Sequence, residues 1–384
     1  FGWPASAVSG AGSPYLESPM VLMGAARPGA PLFTDHAGHY DALLVLSFGG
    51  PEGMADVIPF LENVTRGRNI PSERLAEVAE HYYHFGGVSP INAQNRALIE
   101  ALDVELRTHG IDLPIYFGNR NWEPFLLDTL RQMRNDGVRD VLVFVTSAYS
   151  SYSGCRQYRE DVTRAVDELA ADDMRFDKIR VFFNHPGFIE PMARYLKDEL
   201  DLVPPEERAG TQVVFTAHSV PLAMAKGSAY EKQLREASRL VAELAGADRY
   251  QLAWQSRSGP PQTPWLEPDI LDVLDELAAA GVQRVILLPV GFISDHLEVL
   301  FDLDEEASDR AADLGLAFSR LPTVGTDPAF VAMIRELIEE RLSDHPDRRA
   351  IGLLGPSHDL CPMNCCLVGE SRRPISAAAD RAVL

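Results

Sequence analysis

Two segments of the chain repeat one pattern, and this repetition limits the folds that the chain can adopt. Residues 126–146 read LLDTLRQMRNDGVRDVLVFVT, and residues 270–290 read ILDVLDELAAAGVQRVILLPV. Each segment combines an amphipathic helical pattern, a Gly-Val pair and an apolar run typical of a strand buried on both faces. Upstream, LLVLSFGGPEG (43–53) parallels VVFTAHSVPLA (213–223), each a strand candidate followed by a loop of small residues. The two halves of the chain therefore share the order of their elements.

Strand candidates alternate with helical patterns along the rest of the chain as well. This alternation predicts an α/β fold with two similar, Rossmann-like, doubly wound parallel-sheet domains. Ligands of such sheets bind at the carboxyl ends of the strands, so we expect a site in the inter-domain cleft. The strand candidates are residues 42–48, 114–117, 141–146, 179–183, 212–216, 250–254, 284–290 and 317–321.

The order of the elements also predicts the domain boundaries. Residues 1–38 are rich in Gly, Ala, Ser and Pro, and we expect a disordered N-terminal extension there. One Rossmann-like domain is expected at residues 39–174 and a second at residues 175–327. A helix at residues 328–345 is expected to pack across the first domain, and a cysteine-bearing tail follows at residues 346–384.

Charge and hydropathy exclude several classes of partner. The net charge of −21 makes nucleic acid and anionic membrane surfaces unfavourable partners. No apolar run is long enough to cross a bilayer, and the N-terminus lacks the layout of a signal peptide. We therefore expect a cytoplasmic protein with no integral membrane segment and no nucleic-acid partner, and we expect separately that it is a monomer.

An acidic segment, DHLEVLFDLDEE, occupies residues 295–306, directly after the buried strand candidate 284–290. A helix through this segment places Glu298, Asp302 and Glu306 at i, i+4 and i+8, on one face. Like charges at this spacing destabilise a helix slightly, so their presence indicates a face that holds or passes a hard cation. The alternative is a solvated helix start, where carboxylates suit the positive end of the helix dipole.

A histidine lies at the carboxyl end of another strand candidate. The strand at residues 212–216 runs into AHSVP, which places His218 at the edge where a two-domain cleft would open. If the repeat reflects structure, His218 and Glu298 face the same cleft. A neutral imidazole and a carboxylate can there bind a divalent metal or move protons. The alternative is a histidine that merely caps a turn through a backbone hydrogen bond.

The chain has only four cysteines, and three of them crowd together near the C-terminus. Cys361, Cys365 and Cys366 lie within six residues, while Cys155 is about two hundred residues earlier. Four thiolates suit a [2Fe–2S] cluster or a structural zinc ion. Zinc sites usually show paired C-x-x-C spacings, which are absent here, so the cluster is favoured. The alternative is a thiol patch without a ligand.

Loops of aromatic and small residues suit a large, flat, apolar ligand, although they also suit ordinary loop packing. Examples are FGGP at residues 48–51, FGGVSP at 85–90 and SAYSSYS at 147–153. Arg66 is a candidate partner for ligand carboxylates, with a solvated basic loop as the alternative. No glycine-rich phosphate loop is present, which disfavours a nucleotide enzyme.

Together, five motifs resemble those of the ferrochelatase family, in order, over roughly residues 41–345. They are FGGPEG, FGGVSPI, FTAHSVP, AWQS with PWLEPD, and PVGFISDHLEVLFDLDEE. The cysteine-bearing tail is similar to that of the actinobacterial branch, the coproporphyrin III ferrochelatases. The resemblance implies a lyase of haem biosynthesis that inserts ferrous iron into coproporphyrin III to give coproheme. It also implies chelatase-type domains with the porphyrin between them.

The resemblance implies roles for particular residues. His218 and Glu298 match the central catalytic pair around the Fe²⁺, and Asp302 and Glu306 match an accessory cation path. The expected porphyrin contacts are Ser89, Tyr158, Phe48 and, from the loop argument above, Arg66. The expected ligands of the [2Fe–2S] cluster are Cys155, Cys361, Cys365 and Cys366.

One position departs from part of the family. In some bacterial members a tyrosine occupies the position of Phe48 and ligates the iron of the product, and Phe48 has no oxygen to do so. Other functions fit parts of the same pattern: a protoporphyrin IX ferrochelatase, a chelatase for another metal or tetrapyrrole, a non-catalytic two-lobed porphyrin or haem binder, and an iron–sulfur sensor with a vestigial cleft.

Overall fold

The computed structural model describes residues 38–67, 70–259, 262–362 and 364–368. The predicted disordered extension lies outside the described residues except for its last position, and so does the tail after residue 368. None of the helices in the described part of the chain combines the length and the apolar character needed to cross a membrane.

Each half of the chain contains a four-stranded sheet in which every neighbouring pair of strands is parallel. The first sheet contains β1 (Ala42–Ser47), β2 (Ile115–Asn119), β3 (Asp140–Val145) and β4 (Arg175–Lys178), in the order β2-β1-β3-β4. The second contains β5 (Thr211–His218), β6 (Tyr250–Gln255), β7 (Arg284–Leu288) and β8 (Ala317–Arg320), in the order β6-β5-β7-β8. The identical strand orders confirm the predicted α/β class and the two similar parallel sheets.

The helices connect the strands and cover the sheets. They are α1 (Val57–Val64), α2 (Ser72–His84), α3 (Ile91–Thr108), α4 (Leu126–Asn135), α5 (Gln157–Leu169), α6 (Pro186–Leu202), α7 (Leu222–Lys226), α8 (Tyr230–Ala245), α9 (Ile270–Ala279), α10 (Leu297–Val299), α11 (Ser308–Asp313) and α12 (Pro328–Leu342). Two short 3₁₀ turns lie at Met54–Asp56 and Arg208–Gly210, and two π-helical segments at Tyr152–Arg156 and Leu300–Ala307.

Strand β1 shows why an all-apolar run is a central strand. Side chains alternate between the two faces of a strand. Leu43 and Val45 join the large apolar cluster that also takes in α3, α6, α8 and α12. Leu44 and Leu46 point the other way, into the cluster formed with α4 and α5. Both faces are covered, so no position of β1 has to be polar to meet solvent.

One predicted strand is wrong. Residues 179–183 are not in a strand, and the edge strand β4 comes just before them. The backbone N–H of Ile179 still donates to the carbonyl of Val143, and the chain then leaves the sheet towards α6. Phe182 and Phe183 are buried in the large apolar cluster rather than paired in a ladder. Their apolar character reflects burial. A run of β-branched and aromatic residues looks the same in sequence whether it is buried in a strand or outside one.

The predicted domain boundaries stay a prediction. Strand β4 pairs with β3, so the first sheet continues to Lys178, beyond the predicted boundary at residue 174. A boundary after Lys178 would keep this sheet in one domain. The C-terminal helix α12 contacts α3 of the first half, where Arg335 pairs with Glu105 at 2.8 Å.

A buried ion pair fixes α12 to the chain that follows β4. The guanidinium of Arg180 donates two hydrogen bonds of 2.7 Å to the carboxylate of Glu340, and both side chains are almost fully buried. Arg180 also donates to the carbonyl of Arg349 at 2.9 Å. A bidentate pair of this kind is held in a single geometry.

Replacing Glu340 by Ala should lower the free energy of unfolding by about 3–5 kcal/mol, because it leaves the Arg180 charge buried without its partner. The control is Asp201→Ala, which removes an exposed, solvent-screened pair with Lys197 and should lower the free energy of unfolding far less. Urea denaturation followed by circular dichroism measures both losses. Equal losses for the two variants would contradict this account of α12.

Candidate active site and thiol cluster

His218 is the last residue of β5, and its ring is oriented by the backbone. Ring atom Nδ1 lies within hydrogen-bond distance of the carbonyl oxygen of Ser219. A carbonyl only accepts, so Nδ1 carries the proton and Nε2 is left to face the cleft. The hydroxyl of Tyr230 donates to the carbonyl of His218 at 3.0 Å and holds the end of the strand.

Glu298 approaches the same imidazole from the neighbouring strand. It lies in α10, which follows β7, and its Oε2 is 3.5 Å from Nε2 of His218. The two side chains are 28% and 32% exposed, so they are open to a ligand. The loop after β7 passes very close to β5, because a Cβ on Gly291 would lie 2.5 Å from the Cβ of Ala217. Only glycine permits this approach.

The two side chains shift each other's pKa. Burial by itself would lower the pKa of His218, but the hydrogen bond and charge of Glu298 outweigh it and raise that pKa above its usual value. Burial would raise the pKa of Glu298, but His218 and the nearby His296 bring it down to about 2. The pair by itself therefore favours an imidazolium beside a carboxylate.

The acidic segment forms a helix, as expected, but not an α-helix. The structure has a short α-turn at Leu297–Val299 and then a π-helix over Leu300–Ala307. The i, i+4, i+8 face of a regular helix is therefore replaced by a wider turn. Asp302 still interacts electrostatically with Glu298 and Glu306, so the three carboxylates remain neighbours. π-Helical turns are rare in proteins, but those that occur are often found at functional sites.

Asp302 is a buried carboxyl group beside the central pair. Desolvation raises its pKa to about 7, although the hydroxyl of Ser256 donates to its Oδ2 and opposes the shift. The amide of Gln255 donates to the same oxygen at 3.3 Å. Further along, burial also raises the pKa of Glu306. Asp302 is thus able to take up or release a proton near neutral pH.

Helices α1 and α2 of the first half close over the π-helix. Leu297 packs in an apolar cluster with Val57, Phe60 and Tyr82. Nε2 of His84 lies 2.6 Å from Oε1 of Glu305. The central pair therefore lies between a sheet edge of the second half and a helical pair of the first.

Of the predicted porphyrin contacts, Phe48 is the one with a large exposed apolar surface. It directly follows β1, is 37% exposed, and packs edge-on against Phe60 with 6.3 Å between ring centroids. Tyr158 is buried under Arg120, whose guanidinium carbon lies 4.7 Å from the ring centroid. Ser89 is buried, and its Cβ would lie 2.6 Å from a Cβ placed on Gly50. These two side chains are therefore buried and not exposed as Phe48 is.

Arg66 lies at the rim of the same region. It is exposed at the end of α1, and its guanidinium donates to the side-chain carbonyl of Asn63. Asn63 in turn donates to the carbonyl of Asn121 at 3.4 Å, and Asn121 bonds to the carbonyl of Phe48. A short chain of polar contacts therefore links Arg66 to the residue at the end of β1.

The structure brings the four cysteine thiols together. Cys155 is in hydrogen-bond contact with Cys361 and Cys366, and Cys365 is in contact with the same two thiols. The Sγ atoms of Cys365 and Cys366 are 3.4 Å apart. The four thiols thus form a ring, and Cys155, Cys361 and Cys366 are buried. Hydrogen bonds from its thiol neighbours lower the pKa of Cys361, which favours a thiolate.

Sequence reasoning missed several residues of these sites. Ser256 supports Asp302, and Tyr149 spans the two halves by donating to the carbonyl of Val290 at 2.7 Å. His296, inside the quoted acidic motif, is half-buried beside the pair, and desolvation lowers its pKa. His358 lies against the thiols of Cys361 and Cys365. Each of them carried some signal: Ser256 ends the AWQS motif, Tyr149 lies in the SAYSSYS loop, and the two histidines are each within three residues of a predicted ligand.

Comparisons with known proteins agree on one family. A family model described as Ferrochelatase matches residues 40–342. The coproporphyrin III ferrochelatase of Streptomyces coelicolor is 52% identical, with 90% of this chain and 97% of that protein aligned. A ferrochelatase of Rhodopirellula baltica is 53% identical, with 88% and 96% aligned.

A solved structure supports the fold alone. SirB from Bacillus subtilis with Fe³⁺ is similar with a TM-score of 0.50 and 13% identity, covering 78% of this chain and 96% of that one. At this level of identity the similarity places both chains in one fold and says nothing about the ligand of this chain.

The Glu298→Gln variant should lower the pKa of His218, because it removes the charge that raises it and leaves the desolvation that lowers it. A pH titration of the His218 ring by NMR measures this shift. The pair stabilises the fold most between about pH 4.5 and 6.5, since the Glu298 contribution is lost towards about pH 2 and the His218 contribution as pH rises through its folded-state pKa.

Glu305→Gln is the matched control for this titration. It makes the same chemical change in the adjoining π-helix but removes the partner of His84 instead. A His218 pKa that falls equally in both variants, or in neither, would contradict the assigned pairing.

Proposed function

The chain belongs to the ferrochelatase family, and on that premise we propose that it inserts ferrous iron into coproporphyrin III to form coproheme. The observation that carries the proposal is the pairing of His218 Nε2 with Glu298 Oε2 at 3.5 Å, with both side chains partly exposed. The substrate assignment draws support from the high similarity to actinobacterial enzymes named for coproporphyrin III.

The reaction exchanges two pyrrole N–H protons for one Fe²⁺, so the site has to accept two protons and bind a hydrated cation. His218 is suited to the first task, because its Nε2 faces the cleft and its Nδ1 proton is fixed by the Ser219 carbonyl. Only the neutral ring accepts a proton. Since Glu298 raises the pKa of His218, the rate should increase with pH through that pKa.

Glu298 is suited to the second task. With a pKa of about 2 it is ionised at any working pH, which makes it a poor base and a good ligand for a divalent cation. An incoming Fe²⁺ replaces the imidazolium as the positive partner of this carboxylate. The proton of the His218 imidazolium passes to solvent water as the metal arrives, and the ring is then neutral when the porphyrin has to lose its first proton.

Asp302 is suited to receive the second proton. Its pKa of about 7 means that it is partly ionised at neutral pH, and it lies between Glu298 and Glu306 in the π-helix. We assign Asp302 and Glu306 to the path by which protons and hydrated cations move between the pair and solvent. Phe48 offers an apolar surface for the porphyrin face, and Ser89 and Tyr158 support the wall behind it.

The thiol cluster is proposed to hold a [2Fe–2S] cluster. Four free thiols in a ring fit the four ligands of such a cluster, and three of them are buried away from solvent. When bound, the cluster supplies one-electron redox chemistry. Iron insertion needs no electron transfer, so we assign the cluster a structural or regulatory role. The cytoplasmic location and the monomeric state stay predictions from the sequence.

An anaerobic insertion assay tests the proposed function. The protein is mixed with Fe²⁺ and either coproporphyrin III or protoporphyrin IX, and metalloporphyrin absorbance is followed. Turnover with coproporphyrin III is expected. Preference for protoporphyrin IX would contradict the substrate assignment, and tight binding without turnover would identify a porphyrin binder.

In the same assay, His218→Ala should lower the insertion rate at least ~100-fold, because the proton acceptor is gone. Porphyrin affinity, read from fluorescence quenching, should change little. The matched control is His345→Ala, which removes an exposed histidine far along the chain from the pair. Insertion by the His218 variant at the wild-type rate would rule out its assigned role.

Cys361→Ser should abolish the visible iron–sulfur absorption and lower the thermal unfolding midpoint, because it removes one of four ligands. Leu360→Ser is the control, since it alters the neighbouring exposed residue and keeps every thiol. A wild-type protein that is purified without oxygen and contains neither iron nor sulfide would overturn the cluster assignment.

A further inference from the structure

We propose that His358, Cys361 and Cys365 form a second type of metal site, which takes one thiophilic divalent cation of the zinc class when the four-thiol cluster is not assembled. This site does not depend on iron insertion. It shares Cys361 and Cys365 with the proposed cluster, so the two occupants exclude each other.

The geometry of the three side chains suits a single ion. One ligand atom from each, the imidazole nitrogen and the two sulfurs, lies within 4.8 Å of the other two. Nε2 of His358 is 3.9 Å from Sγ of Cys365. Ligands of a tetrahedral zinc ion, bound at about 2.0–2.3 Å, lie at such separations from one another.

The chemistry of the ligand set also favours zinc. Imidazole nitrogen and thiolate sulfur are the usual ligands of structural zinc, and hard cations such as Mg²⁺ avoid sulfur. A fourth position can be filled by Cys366, whose Sγ is 3.4 Å from that of Cys365. The spacing H-x₂-C-x₃-C falls within the range of ligand spacings in short zinc loops.

The three ligands lie in one short segment that other contacts hold in place. Asp359, between His358 and Cys361, pairs with Arg348 at 3.0 Å. The guanidinium of Arg156 donates to the carbonyl of Cys365 at 3.0 Å. Neither contact uses the thiol of Cys155, which the complete cluster needs from a distant part of the chain. The local site therefore keeps its shape when Cys155 does not contribute.

Sharing two thiols makes the segment responsive to the metal that reaches it. A zinc ion on Cys361 and Cys365 blocks cluster assembly, and an assembled cluster leaves His358 without a metal. Because His358 and Cys365 are on the exposed side of the thiol ring, exchange can occur without opening the buried side.

Cobalt(II) is the probe, because it replaces zinc and gives visible d–d and sulfur-to-metal charge-transfer bands. Cys155→Ser removes a cluster ligand and keeps the local site, so this variant should bind one Co²⁺ that shows the tetrahedral spectrum with sulfur-to-metal charge-transfer bands. Adding His358→Ala should weaken that binding at least about tenfold. Zinc should displace the cobalt in the first variant.

His345→Ala in the Cys155→Ser background is the matched control and should bind Co²⁺ unchanged. Equal Co²⁺ affinity with and without His358 would overturn the proposal. If the Cys155→Ser protein fails to fold by circular dichroism, the same comparison is made in the cluster-stripped wild-type chain with and without His358→Ala. The insertion assay is run on the same samples, so failure of the proposed function and failure of this site are separately visible.

Discussion

The close pairing of β5 with β7 is the constraint on which the candidate site depends. Adjacent parallel strands lie about 4.8 Å apart and end at the same edge, so residues just beyond two such ends must meet. His218 closes β5, and Glu298 follows β7 after a loop that Gly291 holds against β5. The pair is therefore a consequence of strand order, although the two residues are far apart in sequence.

The carboxyl edge of the first sheet connects the pair of His218 and Glu298 to the thiol cluster. The loop after β3 carries Tyr149, which bonds to the carbonyl of Val290, and then reaches Cys155. Tyr149 also packs edge-on against Tyr230, whose hydroxyl holds the carbonyl of His218. One of the four thiols, Cys155, thus follows a strand end of the first sheet, as His218 closes a strand of the second, and the contact between Tyr149 and Tyr230 joins the two regions.

Helices and strands that arise from a local or periodic pattern of residues could be predicted from the sequence. The repeated helix, Gly-Val and apolar run of residues 126–146 and 270–290 places β3 and β7 at equivalent positions in two identical strand orders. The predicted ends of β5 and β7 then place His218 and Glu298 at the same edge of the second sheet. Residues 179–183 were misread because burial against helices leaves the same apolar composition as strand pairing.

Other features depend on contacts that no local pattern records. Residues of α1 and α2 pack against Leu300 at the start of the π-helix Leu300–Ala307, and the hydroxyl of Ser256 donates to Asp302 within it. His358 is close to two cysteines in sequence, but only the folded chain shows that its ring lies against both thiols. In each case the deciding partner lies more than forty residues away, or on a side chain whose orientation the sequence leaves open.

Two carboxyl groups four residues apart show how this packing divides the chemistry. Glu298 has imidazole neighbours, which hold its pKa at about 2, while Asp302 has one hydroxyl and one amide, and desolvation raises its pKa to about 7. Environments that push two pKa values apart assign different roles to similar groups. A permanently ionised carboxylate suits the cation, and a carboxyl that titrates near neutral pH suits the proton. The fold thereby separates metal binding from proton transfer within one turn of a helix.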